Sequence, residues 1–305
     1  MMGLDQEDYR KFVKSCEEKV HGHPCYGGKA HFSFGRVHLP VAPKCNIKCN
    51  YCLRKHDCAN ENRPGLASRI ITPEEAVDRV RWAVEEDPRI CVAGIAGPGD
   101  PLVNEATFET FRKVKEEFPN MTRCLSTNGL LLPESVARLD EVGVTTLTIT
   151  INAVEPEIGS KIYSFVNYRG KTLRGADAFT VLNRNQLLGL EKAVEYGMVV
   201  KVNTVLIPGI NDSHIPEVAM AVRDLGAYTM NIMPLIPQAK FASMLPPTSE
   251  DLGMIRDACA PIIKQFRHCK QCRADAVGVP GEEGCASSFS DNYLKRGFVD
   301  AVEMR

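Results

Sequence analysis

Three thiols in one short loop constrain this chain more than any other feature. Cys45, Cys49 and Cys52 stand in Lys44-Cys-Asn-Ile-Lys-Cys-Asn-Tyr-Cys, directly after an apolar run from Arg36 to Ala42 that reads as a first strand. Thiolates so close together hold three irons of a cubane cluster and leave the fourth without a protein ligand. An iron left open in this way suits a molecule that chelates through an amino and a carboxylate group. A zinc knuckle and chance clustering compete with that reading, because the chain has 12 cysteines. Zinc, however, needs a close fourth ligand and more usually shows paired C-x2-C units.

The surroundings of those cysteines point to a reducing compartment. Met1 to Lys19 is charged and shows no signal peptide, and no uninterrupted apolar run is long enough to span a bilayer. Cysteines in such a chain are expected in the cytoplasm, as metal ligands rather than disulfides. With 305 residues, 44% hydrophobic and 25% charged, the chain has the composition of a soluble globular protein with ample core. Its formal net charge of -1 gives no sign of nucleic-acid or membrane partners.

Helical and strand-like patterns alternate along the sequence. A charged helix is expected over Gln6 to Lys19, followed by a loop-like stretch, His21 to His31. Thr72-Pro73-Glu74-Glu75 marks a helix start, with Thr72 as N-cap and Pro73 at the first helical position. Further strands are expected at Ile90 to Ile95, Thr122 to Ser126, Thr145 to Ile151, Val199 to Ile207 and Tyr228 to Met233. Helices fall at Glu105 to Phe118, Pro133 to Val142, Thr180 to Tyr196, Ser213 to Leu225 and Ser249 to Phe266. Six strands separated by helices imply a parallel α/β sheet with right-handed crossovers. The expected form is an open, partial (β/α)6 barrel rather than a closed eight-stranded one. Three regions are expected: an extension at 1–35, the barrel at 36–247, and a C-terminal helix and tail at 248–305. Past Arg273 the chain reads as a loosely ordered tail.

In such sheets ligand groups collect at the C-terminal ends of the strands. After the cysteine loop, the next strands finish in Gly97-Pro98-Gly99-Asp100-Pro101, Ser126-Thr127-Asn128-Gly129, Thr150-Ile151-Asn152 and Ile207-Pro208-Gly209-Ile210-Asn211-Asp212. Each alone reads as a turn. Their shared edge with the cysteine loop reads as a site.

The spacing C-x3-C-x2-C, with Tyr51 just before its last cysteine, resembles the radical S-adenosylmethionine superfamily. That resemblance implies a 4Fe–4S cluster on Cys45, Cys49 and Cys52 that binds S-adenosylmethionine. Gly97 to Pro101 would lie along the methionyl amino group, although this segment, with Asp100, departs from the usual Gly-Gly-Glu-Pro form. Ser126, Asn128 and Asn152 would reach the carboxylate and ribose, and Ile207 to Ile210 would cover the adenine beside Tyr51.

Other cysteines carry a narrower resemblance. His23-Pro24-Cys25, Val41-Ala42-Pro43 before the cysteine loop, Asp57-Cys58-Ala59-Asn60-Glu61, and Cys269-x-x-Cys272-Arg273-Ala274-Asp275-Ala276-Val277-Gly278 resemble the NifB family. NifB is the radical enzyme of nitrogenase iron–molybdenum cofactor assembly. The likeness runs from about His21 to Gly278, and the chain resembles the short, stand-alone form without a NifX-like domain. It implies three 4Fe–4S clusters, two of them substrate cubanes that fuse with a methyl-derived carbide and an added sulfide into an eight-iron precursor. Matching positions assign one substrate cubane to His23, Cys58 and Cys124, with His21 and His31 as alternatives to His23. The other falls to Cys25, Cys269 and Cys272. Glu61 and Arg63 would handle protons or the ligand carboxylate, or form surface ion pairs. Implied partners are an iron–sulfur cluster donor protein and a downstream cofactor scaffold or carrier.

Two other functions fit parts of the pattern. Cys269, Cys272 and Cys285 form C-x2-C-x12-C, close to the auxiliary-cluster spacing of a molybdopterin-type radical cyclase acting on a purine nucleotide. That reading leaves His-Pro-Cys and Cys58 without a role. A passive iron–sulfur carrier leaves the polar strand ends without one.

Overall fold

The computed structural model describes residues 6–62, 67–269 and 271–282, so Arg63 and Cys285 lie outside it. In chain order the helices are α1 (Gln6–Lys19), α2 (Pro73–Glu86), α3 (Glu105–Glu117), α4 (Leu132–Glu141), α5 (Pro156–Ile162), α6 (Gly175–Glu195), α7 (Ile215–Asp224) and α8 (Ser249–Cys259). The strands are β1 (Gly35–His38), β2 (Ile47–Cys49), β3 (Ile90–Ile95), β4 (Thr122–Thr127), β5 (Val144–Thr150), β6 (Tyr163–Tyr168), β7 (Lys171–Leu173), β8 (Val199–Leu206), β9 (Thr229–Pro234) and β10 (Val277–Gly278). The start of α2 is fixed locally. Thr72 accepts from the Glu75 amide while the Glu75 carboxylate accepts from the Thr72 amide, with Pro73 at the first turn.

The main sheet runs β10-β1-β3-β4-β5-β8-β9. Its six strands from β1 to β9 pair in parallel, as expected, and curl into an open half-barrel. Period-two alternation sorts the side chains. Leu125, Leu147, Ile149, Val200, Val202, Met230 and Ile232 face the helices and form the main core. Their neighbours in sequence, among them Cys124, Ser126, Thr148, Lys201 and Asn203, point into the concave side. Hydrophobic burial on the convex face therefore fixes which polar groups line the lumen.

The structure departs from expectation in several places, among them α5, which was not foreseen, and α6, which begins at Gly175 rather than Thr180. The first strand ends at His38, and residues 39–42 run on as extended loop that meets the Gly97-Pro98 segment through an Ala42–Pro98 bridge. The last helix stops at Cys259, and the chain then follows the edge of β9, where Met230 donates to Lys264 O at 2.8 Å and Phe266 donates to Met230 O at 2.8 Å. The described residues after Arg273, to 282, are not a loose tail, since Ala274 and Ala276 are buried and β10 pairs antiparallel with β1; the rest of that stretch lies outside the described residues. A second sheet, β2-β6-β7, was not foreseen; it braces the cysteine loop, since β2 lies within that loop and pairs with β6.

Candidate functional site

Two cavities occupy the concave side, stacked along the strands. The first, of about 630 Å³, lies at the C-terminal strand ends. The second, of about 700 Å³, lies deeper in the lumen. Glu61, Ala96 and Ser126 line both and form their junction.

The first cavity is walled by the cysteine loop and the loop after β3. Cys45, Cys49, Cys52, Cys58 and Tyr51 all line it. Backbone approach between the loops is close: the Gly99 amide donates to Ala42 O at 2.5 Å and the Asp100 amide to Lys44 O at 2.8 Å. A Cβ on Gly99 would sit 2.3 Å from Lys44 O, so only glycine fits. Burial pushes the thiols of Cys45, Cys49 and Cys58 up, and neighbouring cysteines add to the effect at Cys49 and Cys58. Iron would displace those protons, because the metal binds the thiolate. Arg54 and Lys48 tie the loop together through the carbonyls of Ile47 and Cys52.

The residues expected to hold S-adenosylmethionine divide into two groups. Ser126, Asn128, Asp100 and Tyr51 line the cavity. Asn128 Nδ2 donates to Asn46 Oδ1 at 2.7 Å, and its Oδ1 accepts from Leu130 N at 2.9 Å. The Asp100 carboxylate accepts from Thr127 Oγ1 at 2.9 Å, Asn128 N at 2.6 Å and Leu102 N at 3.0 Å. Its hydrogen bonds thus go to holding the β3 and β4 loops together. Gly97, Asn152 and Ile207 do not line the cavity. Asn152 is fully buried beneath it, donating to Tyr51 Oη at 2.6 Å and Tyr163 Oη at 3.1 Å and accepting from Val205 N at 2.8 Å. Ile207 packs in the same buried cluster as Tyr51. Both support the wall through Tyr51 rather than forming it, because apolar burial and a closed polar network leave them no free face.

The second cavity gathers His23, Cys25, Cys124, Cys269 and Cys272 from three separate stretches of the chain. Cys124 is the third residue of β4, in mid-strand rather than at the C-terminal edge, and so belongs to the lumen. Cys58 opens on the first cavity, so His23, Cys58 and Cys124 straddle the junction. His21 is exposed and its Nδ1 donates to Glu18 O at 2.9 Å, whereas His31 lines the second cavity. His23 is 3% exposed; its Nδ1 accepts from the Cys25 amide at 3.1 Å, and its buried Nε2 has no hydrogen-bond partner. Such an orphaned nitrogen in a thiol-lined cavity fits a metal-bearing guest. Among the described residues no three His, Cys, Asp or Glu side chains converge as a single ion's ligands would. Cluster ligands need not, since each binds a different iron.

Among the lining residues that sequence reasoning missed are Arg36 and His38 on β1, and Lys201 and Asn203 on β8. Arg36 is 1% exposed and donates to Cys272 Sγ at 2.8 Å and Gly278 O at 2.5 Å. His38 bonds Arg273 O at 2.9 Å through Nδ1, and burial with the Arg36 charge lowers its pKa to about 4. Asn203 donates to both Glu61 carboxylate oxygens at 2.9 Å, and Thr150 donates to Glu61 at 3.3 Å. Burial raises the Glu61 pKa. The missed signal was the alternation itself, Val-Val-Lys-Val-Asn in β8, where polar residues interleave with core valines.

The family model of the Radical SAM superfamily matches residues 39–222. The FeMo cofactor biosynthesis protein NifB of Herbaspirillum seropedicae is 47% identical over 294 residues, covering 94% of this chain and 55% of the relative. That of Azotobacter vinelandii is 47% identical over 289 residues, covering 92% and 57%. That of Methanocaldococcus infernus is 46% identical over 269 residues and covers 88% of both chains. The chain thus spans little more than half the length of the first two relatives and most of the third. Among solved structures, a radical SAM methyltransferase from Sphaerobacter thermophilus aligns with TM-score 0.53 at 22% identity, covering 83% of this chain and 68% of that one. Streptococcus suis SuiB aligns with TM-score 0.55 at 14% identity, covering 86% and 55%. The structural likeness is one of fold.

Proposed function

We propose a function from one premise: this chain belongs to the NifB family, within the Radical SAM superfamily. It acts as a radical S-adenosylmethionine enzyme of FeMo cofactor biosynthesis. In finer terms, it joins two 4Fe–4S substrate cubanes, a carbon from a methyl group and an added sulfide into an eight-iron precursor. The cubanes arrive from a cluster donor protein, and the product leaves to a scaffold or carrier.

The observation that carries this reading is the pair of joined cavities, one lined by Cys45, Cys49 and Cys52 and the other by His23, Cys25, Cys124, Cys269 and Cys272. The loop cysteines would hold the resident cluster, which when bound supplies the electron for reductive cleavage of S-adenosylmethionine. Asn128 and the backbone at Pro98 and Gly99 would orient the methionyl end, and Tyr51 would form the wall beside it. The junction at Glu61 and Ser126 opens directly on the second cavity, so a reactive carbon from the first would have its target beside it. A guest bound by His23, Cys58 and Cys124 would lie at that junction. Glu61, with its raised pKa, is the one carboxyl group among the described residues that lines both cavities, and it would accept or hold a proton there. Ligation of the guests by one imidazole and few thiolates suits substrates that must leave as one product.

Methyl-labelled S-adenosylmethionine tests the finer reading. Label should enter an acid-extractable eight-iron product, with S-adenosylhomocysteine and deoxyadenosine formed alongside. A cluster product free of label under full turnover would overturn it.

A further inference from the structure

Lys201 lies at the heart of the second cavity without the partner its charge requires. Its side chain projects from β8 into the lumen and is 5% exposed. The ammonium has one hydrogen bond, to Cys25 O at 3.3 Å, and lies over the rings of Tyr26 and Phe266 at 5.1 and 5.5 Å. An ammonium carries three donors, so two remain for the cavity. Glu61 shares the cavity but gives its oxygens to Asn203 and Thr150, and no carboxylate among the described residues is within ion-pair distance of Lys201.

A buried charge without a counter-charge loses its hydration with nothing to offset it, so its persistence in a fold calls for a compensating guest. Cys25, Cys124, Cys269 and Cys272 face the same lumen, and iron bound there would displace their protons and leave anionic thiolates, so a cluster in this cavity brings the counter-charge that Lys201 lacks.

Resting on the function proposed above, we propose that Lys201 is the electrostatic anchor of the second cavity, donating to a sulfide edge of an anionic iron–sulfur guest. It selects thiolate-ligated cubanes, which carry net negative charge, over neutral or cationic metal species. The rings of Tyr26 and Phe266 hold the ammonium in place, and Cys25 is both a ligand and, through its carbonyl, the fixed point of the lysine.

The anchor makes opposite predictions for the empty and the loaded protein. Lys201→Met removes an uncompensated charge, so the iron-free variant should melt at or above the wild-type temperature. After anaerobic reconstitution of the full chain with ferrous iron and sulfide, a ferrous chelator should strip second-cavity iron at least about tenfold faster from Lys201→Met, the scale of one charge-assisted hydrogen bond. Lys201→Arg keeps the charge and should stay within about threefold of wild type. An iron-free Lys201→Met that melts lower or fails to fold would make the lysine a structural member and overturn the proposal. Equal stripping rates in all three proteins would overturn it too. Failure of the parent reading has a different signature, because wild type itself would then load only about four irons.

Discussion

The two cavities are built by opposite routes. The first takes most of its wall from one stretch, Pro43 to Glu61, backed by loops at the ends of β3, β4 and β5. Local spacing sets its chemistry, and β2, paired with β6, braces it. The second takes His23 and Cys25 from the start of the chain, Cys124 and Lys201 from mid-strand, and Cys269 and Cys272 from beyond the last helix. Only the curl of the sheet brings these together. A contiguous loop can be written as a motif, whereas a lumen is specified by which face of each strand the core claims.

The largest effect should separate the cavities outright. Replacing Cys45, Cys49 and Cys52 by alanine should abolish deoxyadenosine formation, by at least about a hundredfold, while iron in the second cavity persists. Retained cleavage would break the division. In the reverse experiment, Cys25→Ala should stop formation of the eight-iron product, with iron lost from the second cavity and the first-cavity cluster signal still present; undiminished product would remove Cys25 from the ligand set.

A pH titration sharpens the account of the lumen. His38 has a folded pKa of about 4 against an ordinary value of about 6.5, so the unfolded chain binds the extra proton first. Its contribution is complete above about pH 6.5 and is lost as the pH falls toward 4, amounting to about 3 kcal/mol. Chemical denaturation of the iron-free protein across that window should show a steeper fall for wild type than for His38→Gln. Parallel slopes would mean that His38 is not buried as described.

A smaller effect concerns how the two loops meet. Gly99→Ala forces a methyl group against the Lys44 carbonyl. Destabilisation of about 1–3 kcal/mol is expected, the usual scale of overpacking. Slower deoxyadenosine formation should accompany it, with second-cavity iron unchanged. Loss of iron from both cavities alike would show that they are not independent.

Legibility in the sequence follows the same division. The bounds of α1 and β3 coincide with their patterns, because α1 is a charged helical segment and β3 a short apolar run between turn signals. The cysteine loop and its cavity-lining neighbours Asn128 and Ser126 were readable because each follows a strand end. Asn152 and Ile207 sit at similar ends, but closed hydrogen bonding and apolar packing turn them away from the cavity. Sequence position gives the strand end and not the direction of the side chain. The hairpin of β6 and β7 was missed since it interrupts the helix–strand alternation, and β10 since two residues carry no periodicity. Lys201 and Arg36 went unnoticed because a lone cation in a strand reads as solvent-facing until the sheet is seen to curl around it.

The central claim is that this chain holds one cluster at the strand ends and two guests in the lumen. Mössbauer spectroscopy with iron counting on the anaerobically reconstituted full chain, compared with its Cys45, Cys49 and Cys52 triple alanine variant, tests it most directly. The account predicts about twelve irons in three cubanes for wild type and about eight in two for the variant. About four irons in wild type and none in the variant would contradict it.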